Sequence, residues 1–276
     1  MGALASISGL TVFGGGKMGS AIIEGALKKG LAPEKIRVVD PGAETRTALH
    51  AKGIHAAESA EAFRDAETDI VLAAVKPFVI AEAVESIKPF TDRGAVLLSI
   101  VAGRPIAWFE EHLGSEAAVV RAMPNTPAAV GRGMTGLYAN VRADGIRREK
   151  AAALMDACGR TVWLENEAQM DAVTAVSGSG PAYVFHLTEA LTRAAESLGL
   201  SPETAAELAR ATVCGAAELL YQSPQTPETL RRNVTTPNGT TAAALDILMD
   251  ERNGLTPLMV QAVKAAEKRS KELASA

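Results

Sequence analysis

Short apolar runs recur along the first part of the chain at 10–13, 36–39, 70–75, 95–100 and 118–122. Between them, apolar positions fall at helical spacing near 18–29, 43–52, 59–66, 78–87 and 105–113. Runs of the first kind predict strands and spacing of the second kind predicts helices. Their alternation predicts a parallel sheet with both faces covered. Two more strands are expected at 134–140 and 160–164, separated by a helix near 143–158. After about residue 165 the texture changes to alanine- and leucine-rich helical spacing, punctuated at 178–181, 199–202, 223–227, 237–239 and 254–257. Five or six helices and no sheet are expected there. Helices so rich in alanine pack closely, and their extra apolar surface suits a subunit interface at least as well as a monomer core.

The first strand runs directly into Gly14-Gly15-Gly16-Lys17-Met18-Gly19, a G-x-G-x-x-G that opens an amphipathic helix. Gly14 permits the tight turn, Gly16 lets backbone approach a pyrophosphate, and Gly19 lets helix and strand pack closely. A glycine-rich turn alone is weak evidence. Between a strand and a helix, with a second strand ending at Asp40, it predicts dinucleotide binding. Asp40 lies at about the ~20-residue spacing expected for the acid that reads the adenosine ribose. A carboxylate there repels a 2′-phosphate and favours NADH, an effect that Arg37, Arg46 and the backbone after Pro41 are able to offset. Asp40 also reads as a cap on the helix starting near Ala43.

Three further strand ends stand where an open parallel sheet binds ligands, at its carboxyl edge. They are Ala74-Val75-Lys76-Pro77, Ile100-Val101-Ala102-Gly103 and Met123-Pro124-Asn125-Thr126-Pro127. Small residues and prolines allow a flat ring to lie against rigid backbone. Lys76 is either a charge near the cofactor phosphates or ribose, or a solvated strand-end lysine. Asn125 either meets the nicotinamide ribose or carboxamide, or forms an Asx turn before Pro127. The expected fold is therefore an α/β Rossmann-type doubly wound parallel sheet over residues 1–165, followed by an all-α domain over 166–276.

Composition narrows the partners. The net charge of −4 comes without a long basic run, and aromatic residues make up only 4%, which argues against nucleic acid. No apolar run approaches the ~20 residues of a membrane span. No export signal is read at the N-terminus. The two cysteines, Cys158 and Cys214, lack metal-ligand spacing and read as reduced, buried thiols of a cytoplasmic protein. No cluster of His, Cys, Asp or Glu has metal-ligand spacing, so no metal is expected.

Residues 234–245, V-T-T-P-N-G-T-T-A-A-A-L, break from a polar turn into an apolar helix. The turn leaves the first backbone N–H groups of that helix unpaired, with the hydroxyls of Thr240 and Thr241 beside them, and this suits a small carboxylate. On spacing alone the two threonines also read as simple helix caps. A nucleotide site and a small-anion site on one chain point to a redox enzyme acting on a small acid.

Together these pieces resemble pyrroline-5-carboxylate reductase almost end to end. The resemblance rests on F-G-G-G-K-M-G (13–19), A-A-V-K-P (73–77), S-I-V-A-G (99–103), R-A-M-P-N-T-P (121–127), V-S-G-S-G-P-A-Y-V-F (176–185) and V-T-T-P-N-G-T-T (234–241). The first is shared by many dehydrogenases; the last three in this order are specific. The resemblance implies reduction of 1-pyrroline-5-carboxylate to L-proline, the last step of proline biosynthesis, with NADPH or NADH. It implies a C-terminal dimerisation domain that interlocks with its twin, often with assembly into larger rings.

Carried over by position, the resemblance puts cofactor contacts on Gly14, Gly15, Gly16, Lys17, Met18 and Gly19, near Asp40, and on Ala74, Val75, Lys76 and Pro77. It adds Val101, Ala102, Gly103 and Asn233, and more weakly Ser59. Substrate contacts fall on Glu167, Asn238, Gly239, Thr240 and Thr241. Two positions depart from the family. Many members carry a second glycine where Asn238 stands, and asparagine visits left-handed backbone more readily than other non-glycine residues. Several members carry a small hydroxyl residue where Asp40 stands.

Such a substrate is a cyclic imine bearing a carboxylate. The N–H groups around 239–241 are expected to hold the carboxylate, and the Thr241 hydroxyl to hydrogen-bond the imine nitrogen. No histidine or lysine is placed as the acid, so the proton is expected from solvent or from an imine already protonated. His186, on the helix after Ser177-Gly178-Ser179-Gly180-Pro181, reads as packed or surface rather than catalytic. Glu167 either orients the substrate or is a solvated glutamate at a helix start. The β-hydroxyacid dehydrogenases share the two-domain plan but place a lysine early in the second domain, and no lysine occurs from 151 to 263. A cofactor-binding sensor without turnover is the remaining alternative, and two motif-rich faces weigh against it.

Overall fold

The computed structural model describes residues 2–274. Eight strands form one sheet: β1 (Leu10–Phe13), β2 (Ile36–Val39), β3 (His55–Ala57), β4 (Ile70–Ala73), β5 (Val96–Ser99), β6 (Val119–Met123), β7 (Gly133–Ala139) and β8 (Gly159–Trp163). Their spatial order is β3-β2-β1-β4-β5-β6-β7-β8. The first six are mutually parallel, with β1 pairing β2 on one side and β4 on the other. The chain order therefore reverses between β1 and β4, which opens a crevice at the carboxyl ends of these strands.

Strand composition explains the layering. All four residues of β1, β4 and β5 are buried, so both faces are covered. Alternate side chains enter two separate cores. Leu10, Val12, Ile70, Leu72, Val96 and Leu98 pack with Ile22 and Ile23 of α1 (Lys17–Lys28) and with Leu154 and Met155 of α5 (Gly145–Asp156). Phe13, Val71, Ala73 and Leu97 pack with Ile80, Val84 and Ile87 of α3 (Ile80–Thr91) and with Phe109 of α4 (Ile106–Leu113). The short α2 (Ala43–His50) contributes Leu49 to the first core.

Three sequence expectations are corrected. The sheet is not wholly parallel, because β7 runs antiparallel to β6. Residues 124–132 are too few for a crossover, which takes about a dozen residues, so the chain turns back through a short 3₁₀ segment, Thr126–Val130, and Gly131 at φ 69°. The helix expected at 59–66 is one 3₁₀ turn, Ala60–Phe63, started by the Ser59 hydroxyl accepting from the Glu61 N–H. Just before it, β3 adds an edge strand that the apolar pattern did not mark.

By contacts the chain forms two compact units, residues 1–178 with 267–276, and residues 179–266. After β8 come α6 (Gln169–Val173), a π turn (Thr174–Gly178), α7 (Gly180–Ser197), α8 (Pro202–Gln222), α9 (Pro227–Asn233), α10 (Thr240–Leu248) and α11 (Leu255–Ala274). Six helices and no strand thus follow residue 165 among the described residues. The end of α11 belongs with the first unit, where the Ser270 hydroxyl donates to Asp171 Oδ1 at 2.6 Å. The helices of the second unit bury almost nothing: α7, α9 and α10 contain no buried residue and α8 only Ala205 and Ala209. Phe185 is 64% and Leu258 62% exposed. Cys158 is buried, and burial pushes its thiol up to about 11, whereas Cys214 on α8 is exposed rather than buried.

At the other end of the sheet, Asp69 joins three segments. Its Oδ2 accepts from the Ser8 N–H at 2.6 Å and the Ser8 hydroxyl at 2.8 Å, and its Oδ1 lies 2.9 Å from Lys150 Nζ on α5. Burial raises the carboxyl pKa. The hydrogen bonds from Lys150 and Ser8 and the Lys150 charge outweigh it, so the net shift is downward. A depressed folded-state pKa stabilises the fold above the ordinary carboxylate value and loses that stabilisation as pH falls through the folded value. Asp69→Asn is expected to cost about 2 kcal/mol in urea unfolding at neutral pH. The gap to wild type should close below about pH 4. An unchanged gap there would show that the charge contributes nothing.

Candidate functional site

The glycine loop takes the shape its sequence requires. Gly14 has φ 101°, and a Cβ there would meet the Ala74 carbonyl oxygen at 2.7 Å. At Gly19 a Cβ would fall 2.2 Å from the Gly14 carbonyl oxygen, so helix and strand are in contact through the glycine. Gly16 differs from both: φ is −66° and a Cβ there meets nothing within 4 Å. The loop is thus closed on its sheet side and open on its outer side. The first helical hydrogen bond of α1 is Ser20 N–H to the Gly16 carbonyl at 2.8 Å, so the N–H groups of Lys17, Met18 and Gly19 have no helical partner. No side chain caps this end and no acidic residue sits in the first turn. These are the conditions for holding a phosphate.

That open side borders a cleft of about 650 Å³ at the β1/β4 crevice. Gly16, Lys17, Met18 and Ala21 form its α1 wall, and Ala74, Val75 and Lys76 its β4 end. Ile100 and Ala102 follow β5, Met123 ends β6, and Pro124, Thr126 and Ala129 follow it. The four strand-end motifs, scattered over more than a hundred positions of sequence, converge here. The lining is largely apolar with two lysines, which suits a flat ring joined to phosphates. The free N–H groups and the space at Gly16 fit a dinucleotide.

Other predicted site residues have different surroundings. Val101 does not line the cleft; it is buried in the core beside α4, and its N–H donates to Ser99 Oγ at 3.3 Å. Gly103, at φ 73°, lies against the backbone of Leu273. Pro77 is exposed next to the cleft residue Lys76. Asn125 is engaged at both ends of its amide: Oδ1 accepts from the Met134 N–H at 2.9 Å, and Nδ2 donates to the Ser177 carbonyl at 3.1 Å and to Ser177 Oγ at 3.2 Å. It neither lines the cleft nor forms the Asx turn; it fastens the β6 end to the π turn. That fastening brings Gly178 against the cleft residue Met123, whose Cε would lie 2.8 Å from a Cβ at Gly178.

Glu167 is not a solvated glutamate. Its Oε1 accepts from Arg121 Nη1 on β6 at 2.6 Å and from the Ile106 N–H, the first of α4, at 2.8 Å. Arg121 is the residue that sequence reading missed, since only a fold places it opposite Glu167. Asp40 holds backbone on both sides: Oδ2 accepts from the Gly15 N–H at 2.7 Å and Oδ1 from the Gly42 N–H at 2.8 Å. The second contact leads the chain into α2, whose N-cap is Gly42.

In the second unit, the turn before α10 has the shape its sequence suggested. Asn238 has φ 59°, the left-handed conformation, and is the non-glycine residue with positive φ among those described. The Gly239 N–H donates to the Thr236 carbonyl at 3.0 Å, and Gly239 is the N-cap of α10 without a side-chain cap. The reading of Thr240 and Thr241 as caps is therefore not seen. Thr240 is exposed and Thr241 half-buried. Asn233, at the end of α9, donates from Nδ2 to Gln225 Oε1 at 3.2 Å. His186 is exposed and its Nδ1 lies 3.1 Å from Glu189 Oε2 on the same helix. Among the described residues no group of His, Cys, Asp and Glu could hold a metal ion, and no helix is long and apolar enough to cross a membrane.

Comparison with known proteins adds relatives to this geometry. Residues 167–273 match a family model described as pyrroline-5-carboxylate reductase dimerisation. Residues 9–103 match one described as NADP oxidoreductase, coenzyme F420-dependent. A pyrroline-5-carboxylate reductase of Pseudomonas aeruginosa is 45% identical over 267 residues, covering 96% of each chain. The structure of a pyrroline-5-carboxylate reductase from Coxiella burnetii superposes with a TM-score of 0.91 at 37% identity, covering 96% of this chain and 98% of the other. That of the Plasmodium falciparum pyrroline carboxylate reductase with NADP bound gives 0.80 at 31% identity, covering 98% of each.

Proposed function

The chain belongs to the pyrroline-5-carboxylate reductase family, and from that membership we propose that it reduces 1-pyrroline-5-carboxylate to L-proline with NADPH or NADH, the last step of proline biosynthesis. The observation that carries this reading is the open flank of Gly16 above the cleft, beside the free N–H groups of α1. When bound, the reduced nicotinamide supplies a hydride to the imine carbon. The nitrogen gains the electron pair of the C=N bond and one proton, and ends as a secondary amine. The chain's own work is to bind, align and donate hydrogen bonds.

In this reading residues 14–19 hold the pyrophosphate on backbone N–H groups, and Asp40 meets the adenosine ribose. The backbone at 74–77 and at Ala102 carries the remaining nucleotide, with Val101 and Gly103 shaping that strand end and Asn233 as a further contact. Asn125 acts by positioning the β6 end rather than by contact. The backbone of Asn238, Gly239 and Thr240 shapes the pocket for the substrate carboxylate, which the unpaired N–H groups at the start of α10 hold, and Thr241 Oγ1 donates to the imine nitrogen. Glu167 contributes to the substrate site through its second oxygen, Oε2. The domains that divide this work are a Rossmann domain, 1–165, and a helical substrate-binding and dimerisation domain, 166–276. The test is direct: pure protein with the imine and either reduced nicotinamide, or with proline and NAD⁺ at high pH, followed in the nicotinamide absorbance. No change in either direction sinks the assignment.

The oligomer is a homodimer able to assemble into a larger ring of dimers, and the enzyme works in the cytoplasm. The near absence of buried residues in α7–α10, with Phe185, Leu208, Leu219 and Ile247 exposed, supports an interface there, because clustered exposed apolar side chains mark interaction surfaces. If the interlocked helical domains exchange the 238–241 turn, each active site needs both chains. Specific activity should then fall on dilution in step with dimer dissociation followed by sedimentation. A fully active monomer would refute the shared site.

A further inference from the structure

We propose that Asp40 and Glu58 make this enzyme prefer NADH over NADPH; the inference rests on assigning a nicotinamide dinucleotide to the cleft. The Asp40 carboxylate stands at the end of β2, fixed by two backbone donors, the Gly15 N–H at 2.7 Å and the Gly42 N–H at 2.8 Å. Gly15 adjoins Gly16 at the cleft, so the carboxylate sits at the adenosine end of the phosphate loop. Each carboxylate oxygen has two acceptor sites and gives one to the backbone, which leaves acceptors for the two hydroxyls of an adenosine ribose. A 2′-phosphate brings only acceptors and close to two negative charges, to which the Asp40 carboxylate offers repulsion and no donor.

A cation helps to accept that phosphate, and Arg46, which reaches the backbone of Asp40, is engaged. Arg46 Nη1 donates to the carbonyls of Asp40 at 2.9 Å and Pro41 at 2.7 Å, and its Nη2 lies 3.7 Å from Glu58 Oε2. Arg37, three residues before Asp40 on β2, donates to the Glu67 carbonyl, and Lys35 donates to the Ile7 carbonyl. Lys17 and Lys76 line the cleft at the β1/β4 crevice rather than the end of β2. The offset that the sequence allowed through Arg37 and Arg46 is thus taken up by backbone carbonyls and by Glu58.

The experiment is steady-state kinetics with both cofactors, with binding of NAD⁺ and NADP⁺ measured by calorimetry. Wild type should show kcat/KM at least about tenfold higher with NADH, since like-charge juxtaposition costs more than 1.4 kcal/mol. Asp40→Asn should narrow the ratio about tenfold, chiefly through a lower KM for NADPH. Glu58→Gln, which neutralises an exposed carboxylate 3.7 Å from Arg46 Nη2, should narrow it about twofold by releasing Arg46. An NADPH preference in wild type, or a ratio unmoved by Asp40→Asn, overturns the inference. If Asp40→Asn melts early, an unmoved ratio in Glu58→Gln overturns it instead. If neither cofactor reduces the imine but NAD⁺ binds more tightly than NADP⁺, the reductase reading fails and this inference stands; tighter NADP⁺ overturns it.

Discussion

Replacing Thr241 with alanine is expected to lower kcat/KM for the cyclic imine by about a hundredfold and to leave the melting temperature within about 2 °C of wild type. The two halves of this prediction have separate causes. Thr241 is the second residue of α10, whose N-cap is Gly239 and whose end no side chain caps. The turn before it is held by the Gly239 N–H and by the left-handed Asn238, both independent of the Thr241 hydroxyl. Alanine also has the higher helix propensity, so the fold has no reason to weaken. In the proposed role the loss falls on the reaction, where the imine nitrogen needs a donor as it gains electron density. Because that bond strengthens towards the transition state, kcat should fall more than KM rises. Thr241→Ser keeps a hydroxyl and should recover most of the rate. Full activity in Thr241→Ala would remove the residue from the chemistry, and failure of serine to rescue would point to packing by the methyl group.

What the sequence made legible depended on how locally each feature was determined. The strands at 10–13, 70–73 and 96–99 were plain because they are buried on both faces and therefore continuously apolar. The turn at Gly14 and the close contact at Gly19 followed from one hexapeptide, since each glycine answers to the local backbone it makes. The His55–Ala57 strand was hidden because it is a three-residue edge, half exposed and without a β-branched residue. The helix expected near 78–87 runs from Ile80 to Thr91 with Pro89 inside it, and its last residues, Phe90 and Thr91, are buried. Asn125 and Glu167 were legible as important but not in what they do. Their partners, Met134 and Ser177 for one and Arg121 and Ile106 for the other, lie up to 61 positions away and meet only in the fold.

Two glycines of the same hexapeptide should separate cofactor binding from folding. Gly16→Ala is expected to fold as well as wild type and to bind cofactor at least about tenfold more weakly. Its φ of −66° and ψ of −173° are ordinary for alanine, and the new Cβ meets nothing within 4 Å. Removing glycine flexibility from the unfolded chain even favours the fold by about 0.5 kcal/mol. The methyl group enters the space above the free N–H groups of α1, where the pyrophosphate must approach. Gly19→Ala should do the reverse in sequence of cause. Its Cβ would stand 2.2 Å from the Gly14 carbonyl oxygen and 3.4 Å from Ala74 Cβ, so α1 must move off the sheet. Overpacking of this kind costs about 1–3 kcal/mol, so the variant should melt early, and any loss of cofactor affinity follows from the displaced helix. Thermal melting with and without cofactor distinguishes the two. Ligand stabilisation should shrink in Gly16→Ala from an unchanged baseline, whereas in Gly19→Ala the baseline itself should drop. If Gly16→Ala bound cofactor as wild type does, the open flank of the loop would not be where the phosphates sit. The dinucleotide would then have to be sought elsewhere along the cleft.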